Sequence, residues 1–101
     1  MKVIDTSLCQ VHVLVCTNER PAPKSCCKTV GGEDFYFRLK NSLKDKGLRP
    51  THWATRTGCL GYCNATGCTV AIYRRGEVPQ WFTEVTSDEF DEIWNQVVKG
   101  L

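Results

Sequence analysis

The chain has 101 residues, of which 42% are hydrophobic and 24% charged, with a formal net charge of +2 and seven cysteines. That length and balance suit one packed domain and exclude a disordered chain. So small a net charge, with no Lys/Arg block, excludes a phosphate-binding stripe, and no nucleic acid partner is expected.

The first ten residues, MKVIDTSLCQ, lack the apolar run of a secretory signal and read as an N-terminal extension (1–10) of a single domain covering 1–101. No stretch approaches the length of a transmembrane helix, so no membrane contact is expected. Residues 11–16, VHVLVC, form a β-branched run with the character of a buried strand, ending at Cys16. The segment TNERPAPKSCCKTVGG carries Pro21, Pro23 and a Gly pair, which make it a loop of a length that usually serves function. Residues 33–46 read as a helix: Phe35, Leu39 and Leu43 recur on one face, and Glu33 and Asp34 suit its positive end. Gly47 supplies the left-handed residue that stops it, and Pro50 prevents resumption.

Residues 51–56, THWATR, read as a strand entering the turn TGCLGYC. TVAIYR (69–74) and QWFTEV (80–85) form a hairpin around the turn RGE (75–77), with Arg74 and Arg75 read as its solvated tip. A final helix is expected over 87–98, with Thr86 and Glu89 at capping-box spacing and Phe90, Ile93, Trp94 and Val97 on one face. The order β-α-β-β-β-α predicts an α/β fold of thioredoxin-like type, a mixed sheet covered by helices, whose first two strands run parallel.

Chemistry must then come from the thiols, since no Ser-His-Asp, paired-carboxylate or phosphate-loop pattern is present and no enzyme activity is expected. An odd cysteine count and the missing signal peptide place the protein in the cytoplasm, with its thiols reduced. Cys16 ends the first strand and Cys26 and Cys27 follow in its loop; Cys59 and Cys63 flank the turn after the second. In a parallel pair both strand ends open on one side of the sheet, so two thiolates from each loop converge. Four thiolates are what two sulfide-bridged irons require. Gly58 and Gly61 allow backbone N–H groups to approach the sulfurs and raise the potential.

HVLVCTNERP, then SC, then TGCLGYC after a helix resembles the thioredoxin-like 2Fe–2S ferredoxins, small electron carriers related to the small 2Fe–2S subunit of respiratory complex I. The resemblance covers about residues 11–98. It implies a 2Fe–2S cluster ligated by Cys16, Cys26, Cys59 and Cys63, redox partner proteins such as a reductase or oxidoreductase, and a homodimer. Cys27 competes with Cys26; Ser25-Cys26 matches the family's SC, which favours Cys26. Lys24, Lys28 and Arg56 flank the ligands in sequence, where positive charge favours the reduced form.

Other readings stay open beside it. The cluster could serve a sensor or accessory protein, and four thiolates also suit structural zinc, although nine residues between the first pair are many for zinc. A thiol–disulfide exchanger would need a C-x-x-C, which is missing. Neither Cys9 nor Cys68 reads as a ligand: Cys9 lies outside the resemblance, and Cys68 opens the third strand, where a free Cys behaves as a small hydrophobe. His12 and His52 lack a ligand pattern, and Trp53, Trp81 and Trp94 fall at positions that core packing explains.

Overall fold

A computed structural model of the chain describes residues 1–18, 31–62 and 66–101. Its elements are β1 (Val11–Cys16), α1 (Gly32–Asp45), β2 (His52–Thr57), β3 (Cys68–Arg74), β4 (Gln80–Val85) and α2 (Phe90–Val97), the last preceded by a 3-10 turn at Ser87–Glu89. One sheet has the order β2-β1-β3-β4. β1 runs parallel to β2 and antiparallel to β3, and β3 pairs antiparallel with β4. The expected α/β class and the parallel first pair are borne out, with strand and helix ends within one residue except at the start of the last helix, whose first three expected residues form the 3-10 turn.

Alternation decides the two faces. Val11, Val13 and Val15 of β1 and Val70 and Ile72 of β3 point to one side and are fully or almost fully buried. Both helices close that side: Phe35, Leu39 and Leu43 of α1 and Phe90, Ile93 and Val97 of α2 complete one core. The helices meet where the Phe35 and Phe90 rings lie 5.2 Å apart. Residues of this kind at helical spacing each bury enough apolar surface for roughly 1.5–3 kcal/mol.

Helix ends follow their local chemistry. After α1, Gly47 takes φ +68, the Leu48 N–H donates to the Leu43 carbonyl at 2.9 Å and the Gly47 N–H to that of Lys44 at 3.0 Å, a Schellman closure. Before the 3-10 turn, the Thr86 N–H donates to the Glu89 carboxylate at 3.0 Å, as the capping-box spacing predicts.

Two readings need correction. Arg74 and Arg75 are not a solvated tip. Arg74 turns to the helix side and donates to the carbonyls of Gln96, Val97 and Lys99 at the end of α2. Arg75 reaches the carbonyls of Thr6, Ser7 and Cys9 and ties that part of the N-terminal segment to the hairpin. Nor are Trp53 and Trp81 core residues, for both stand on the face opposite the helices. Among the described residues no helix is long and apolar enough to cross a membrane.

Candidate metal centre

The parallel ladder of β1 and β2 runs from Val11↔His52 to Cys16↔Thr57. One residue further the Thr17 N–H still donates to the Thr57 carbonyl at 3.1 Å. Both chains therefore leave the sheet at the same end, side by side. Cys16 is the last residue of β1 and is buried, whereas Cys59 follows β2 by two residues and is exposed. The structure brings these two predicted ligands to one end of the sheet. Cys26, its competitor Cys27, and Cys63 lie outside the described residues, as do Lys24 and Lys28. Among the described residues no three His, Cys, Asp or Glu side chains cluster as a metal site.

The sulfur of Cys59 accepts the N–H of Gly61 at 3.2 Å. Gly61 itself takes φ +91, where a side chain is strained even though space is open around it. Gly58 has no such backbone angle. Of the two glycines singled out in the sequence, only Gly61 uses its freedom. An N–H aimed at sulfur stabilises negative charge there, whether on a thiolate or a ligand sulfur.

The second connection is held against the sheet by Thr69, whose buried hydroxyl donates to the Tyr62 carbonyl at 3.4 Å. Sequence reasoning passed over this threonine. Its one signal was a hydroxyl inside an otherwise apolar strand run. Arg56, expected near the ligands, turns toward α1: its guanidinium lies 4.0 Å from Glu33 and about 6 Å from the Tyr36 and Phe37 rings.

Two further thiols, Cys68 and Cys9, are among the described residues. Cys68 is buried beside Cys16, and its pKa is pushed up to about 11, chiefly by burial, with the Cys16 thiol adding to the shift. It stays protonated, as an apolar filler does. Cys9 sits at the opposite end of β1, its thiol donating to the Val11 carbonyl at 3.5 Å. Burial raises its pKa against the lowering charge of Arg75. Gln10 and five strand residues separate it from Cys16, so it stands roughly 20 Å from the candidate centre.

No family model matches the chain, and no curated protein does. Solved structures do. The wild-type thioredoxin-like 2Fe–2S ferredoxin from Aquifex aeolicus matches with a TM-score of 0.72 and 29% identity, over 91% of this chain and 88% of that one. A further structure described as a thioredoxin-like 2Fe–2S ferredoxin from the same organism matches with a TM-score of 0.74 and 28% identity, over 91% and 83% of the two chains. A variant of the A. aeolicus protein with one cysteine changed to serine matches with a TM-score of 0.71 and 29% identity, over 89% and 88%. The likeness extends along nearly the whole length of both chains and bears out the resemblance read in the sequence.

Proposed function

We propose, from this likeness, that the protein is a one-electron carrier holding a single 2Fe–2S cluster through Cys16, Cys26, Cys59 and Cys63. The observation that carries the reading is the register that delivers Cys16 and Cys59 to the same end of the parallel pair. The described part of the donor set fits such a group: soft thiolate sources, one buried and one exposed, the exposed sulfur already receiving an N–H. When bound, the cluster supplies a site that gains and loses one electron.

The chain's own contribution is positioning and electrostatics. The Gly61 N–H favours added negative charge at the Cys59 sulfur and so raises the potential. Cys68, protonated and buried behind Cys16, excludes water from that side. Thr69 fixes the connection bearing Cys59 to β3 through the Tyr62 carbonyl. Lys24 and Lys28 add positive charge in the first connection and favour acidic redox partner proteins, met in weak, salt-sensitive encounters. The protein makes and breaks no bonds of a substrate, is not an enzyme, and works in the cytoplasm as one domain with a short N-terminal extension.

Low-temperature EPR of the reduced protein, with iron and sulfide analysis, tests this. The expected result is one paramagnetic centre with two irons and two sulfides per chain; a colourless protein containing zinc rejects it. Cys26→Ser should lose or alter the centre while Cys27→Ser leaves its spectrum unchanged. The reverse pattern would move the ligand to Cys27.

A further inference from the structure

At the end of the sheet away from Cys16 and Cys59, α1, the loop after it and edge strand β2 enclose a cleft of about 160 Å³, lined by Lys40, Leu43, Arg49, His52, Trp53 and Ala54. His52 belongs to the first rung of the parallel ladder, Val11↔His52. The rung at Cys16↔Thr57 is five residues along, roughly 17 Å away. The loop that carries Arg49 is pinned on both sides of it. The Leu48 carbonyl accepts the N–H groups of Thr51 at 3.0 Å and of His52 at 2.8 Å, and the Trp53 indole N–H donates to the Pro50 carbonyl at 3.3 Å.

The cleft is lined by positive charge without a counter-charge: Lys40 and Arg49 border it and no carboxylate does. Among the described residues, Arg38, Arg56 and Arg74 each have a carboxylate within 4.0 Å, and Arg75 bonds to backbone carbonyls. Arg49 has neither kind of partner there, and Lys40 meets only the Tyr36 ring, at 6.0 Å. A third donor is His52, which is 4% exposed. Both lone pairs of the Leu48 carbonyl already serve backbone N–H groups, so the Thr51 hydroxyl, 3.3 Å from that oxygen, turns its hydrogen to the His52 Nδ1 at 2.8 Å. The neutral ring then carries its own proton on Nε2. No protein acceptor meets that N–H among the described residues, and none of their fully buried polar side-chain atoms goes unpartnered, so it opens into the cleft.

We infer that this cleft binds a phosphate group, as the free ion or as a small monoester. Two cations and a neutral N–H around one hollow suit a ligand with two negative charges and at least three acceptor oxygens. A carboxylate brings one charge and two oxygens and leaves a donor unmet. The volume falls below that of pockets enclosing drug-sized ligands, so the ligand is small. Leu43, Ala54 and the Trp53 ring leave an apolar wall for the carbon side of an ester. The site stands at the far end of the sheet and does not depend on what the cysteines bind.

Calorimetric titration of the purified protein with sodium phosphate, at an ionic strength held constant with sodium chloride, tests the site. Phosphate should bind saturably at millimolar concentration, and the ring nitrogen signals of His52 should shift in NMR spectra while those of His12, on the open sheet face, stay in place. Lys40→Gln and Arg49→Gln should each weaken binding about tenfold, the size of one charge-assisted hydrogen bond, and Arg49→Lys should recover part of the loss. Both side chains are exposed, so the variants keep the core intact. Lys46→Gln, which removes an equal charge just after α1 but outside the cleft, should bind as the wild type does. Phenyl phosphate separates the two sources: binding tighter than that of inorganic phosphate assigns a monoester resting on Trp53, and equal or weaker binding assigns the free ion. No saturable binding of either compound overturns the inference, as does binding that the Lys40 and Arg49 variants leave unchanged or that Lys46→Gln weakens equally. Iron and sulfide measured on the same samples bear only on the electron-carrier reading.

Discussion

A Cβ placed on Gly67 would overlap the Val85 carbonyl and lie 2.5 Å from the backbone carbon of Glu84. These are main-chain atoms that cannot swing aside. They belong to an irregular stretch of β4, where the register against β3 shifts between Cys68 and Val70. There Glu84 adopts φ +57, a left-handed conformation uncommon for a residue with a side chain. Gly67 thus lets the end of the second connection pass against the bulge and enter β3 one residue later. Gly67→Ala should cost about 2–3 kcal/mol, the range of a forced overpacking, and lower the thermal midpoint by roughly 10 °C or more for a domain of this size. A midpoint within a degree or two of wild type would mean the bulge relaxes freely. Nothing in TGCT distinguishes this glycine from one in any turn, because the atoms it avoids lie about 18 positions along the chain.

Helix termini show how far local pattern reaches. The end of α1 was legible, since Gly47 and Leu48 bond to carbonyls three to five residues back. The start of the 3-10 turn that leads into α2 was legible for the same reason, through Thr86 and Glu89. The end of α2 was not. Its last carbonyls are taken by Arg74, which is more than twenty residues earlier and belongs to another element. The guanidinium sits at the negative end of the helix and fans across three acceptors, a geometry lysine cannot reproduce. Arg74→Ala should lower stability by about 1–3 kcal/mol, read in urea as a lower midpoint with an unchanged slope. Arg74→Lys should recover only part of the loss. Full stability in the alanine variant would show that water serves those carbonyls equally well.

At the scale of the molecule, the sheet shelters its two histidines in different ways. His52 is buried on the helix side, its ring 2.8 Å from the Thr51 hydroxyl. His12 is half-buried on the open face, 2.7 Å from the Thr55 hydroxyl. Burial pushes both pKa values below 6.5, and the Arg74 charge lowers that of His52 further. The folded protein therefore keeps both rings neutral where the unfolded chain already takes up protons. The unfolded state binds more protons as pH falls below about 6.5, so stability declines over that range until the folded-state values are reached. The thermal midpoint should drop between about pH 7 and pH 5, and the drop should shrink in a His12→Gln, His52→Gln double variant. An unchanged pH dependence in that variant would assign the effect to carboxylates.

The sequence by itself determined the order of elements, the faces of both helices, the parallel first pair and hence the end of the sheet to which Cys16 and Cys59 come. Each of these follows from periodicity, caps and chain connectivity, which are written in near neighbours. Only the tertiary structure decided that both helices share one face, leaving Trp53, Tyr73 and Trp81 outward, and that Arg56, Arg74 and Thr69 serve α1, α2 and the Tyr62 carbonyl. A period of two tells which residues share a side of a strand, but not which side the helices will cover. That choice is made by packing between segments far apart in the chain.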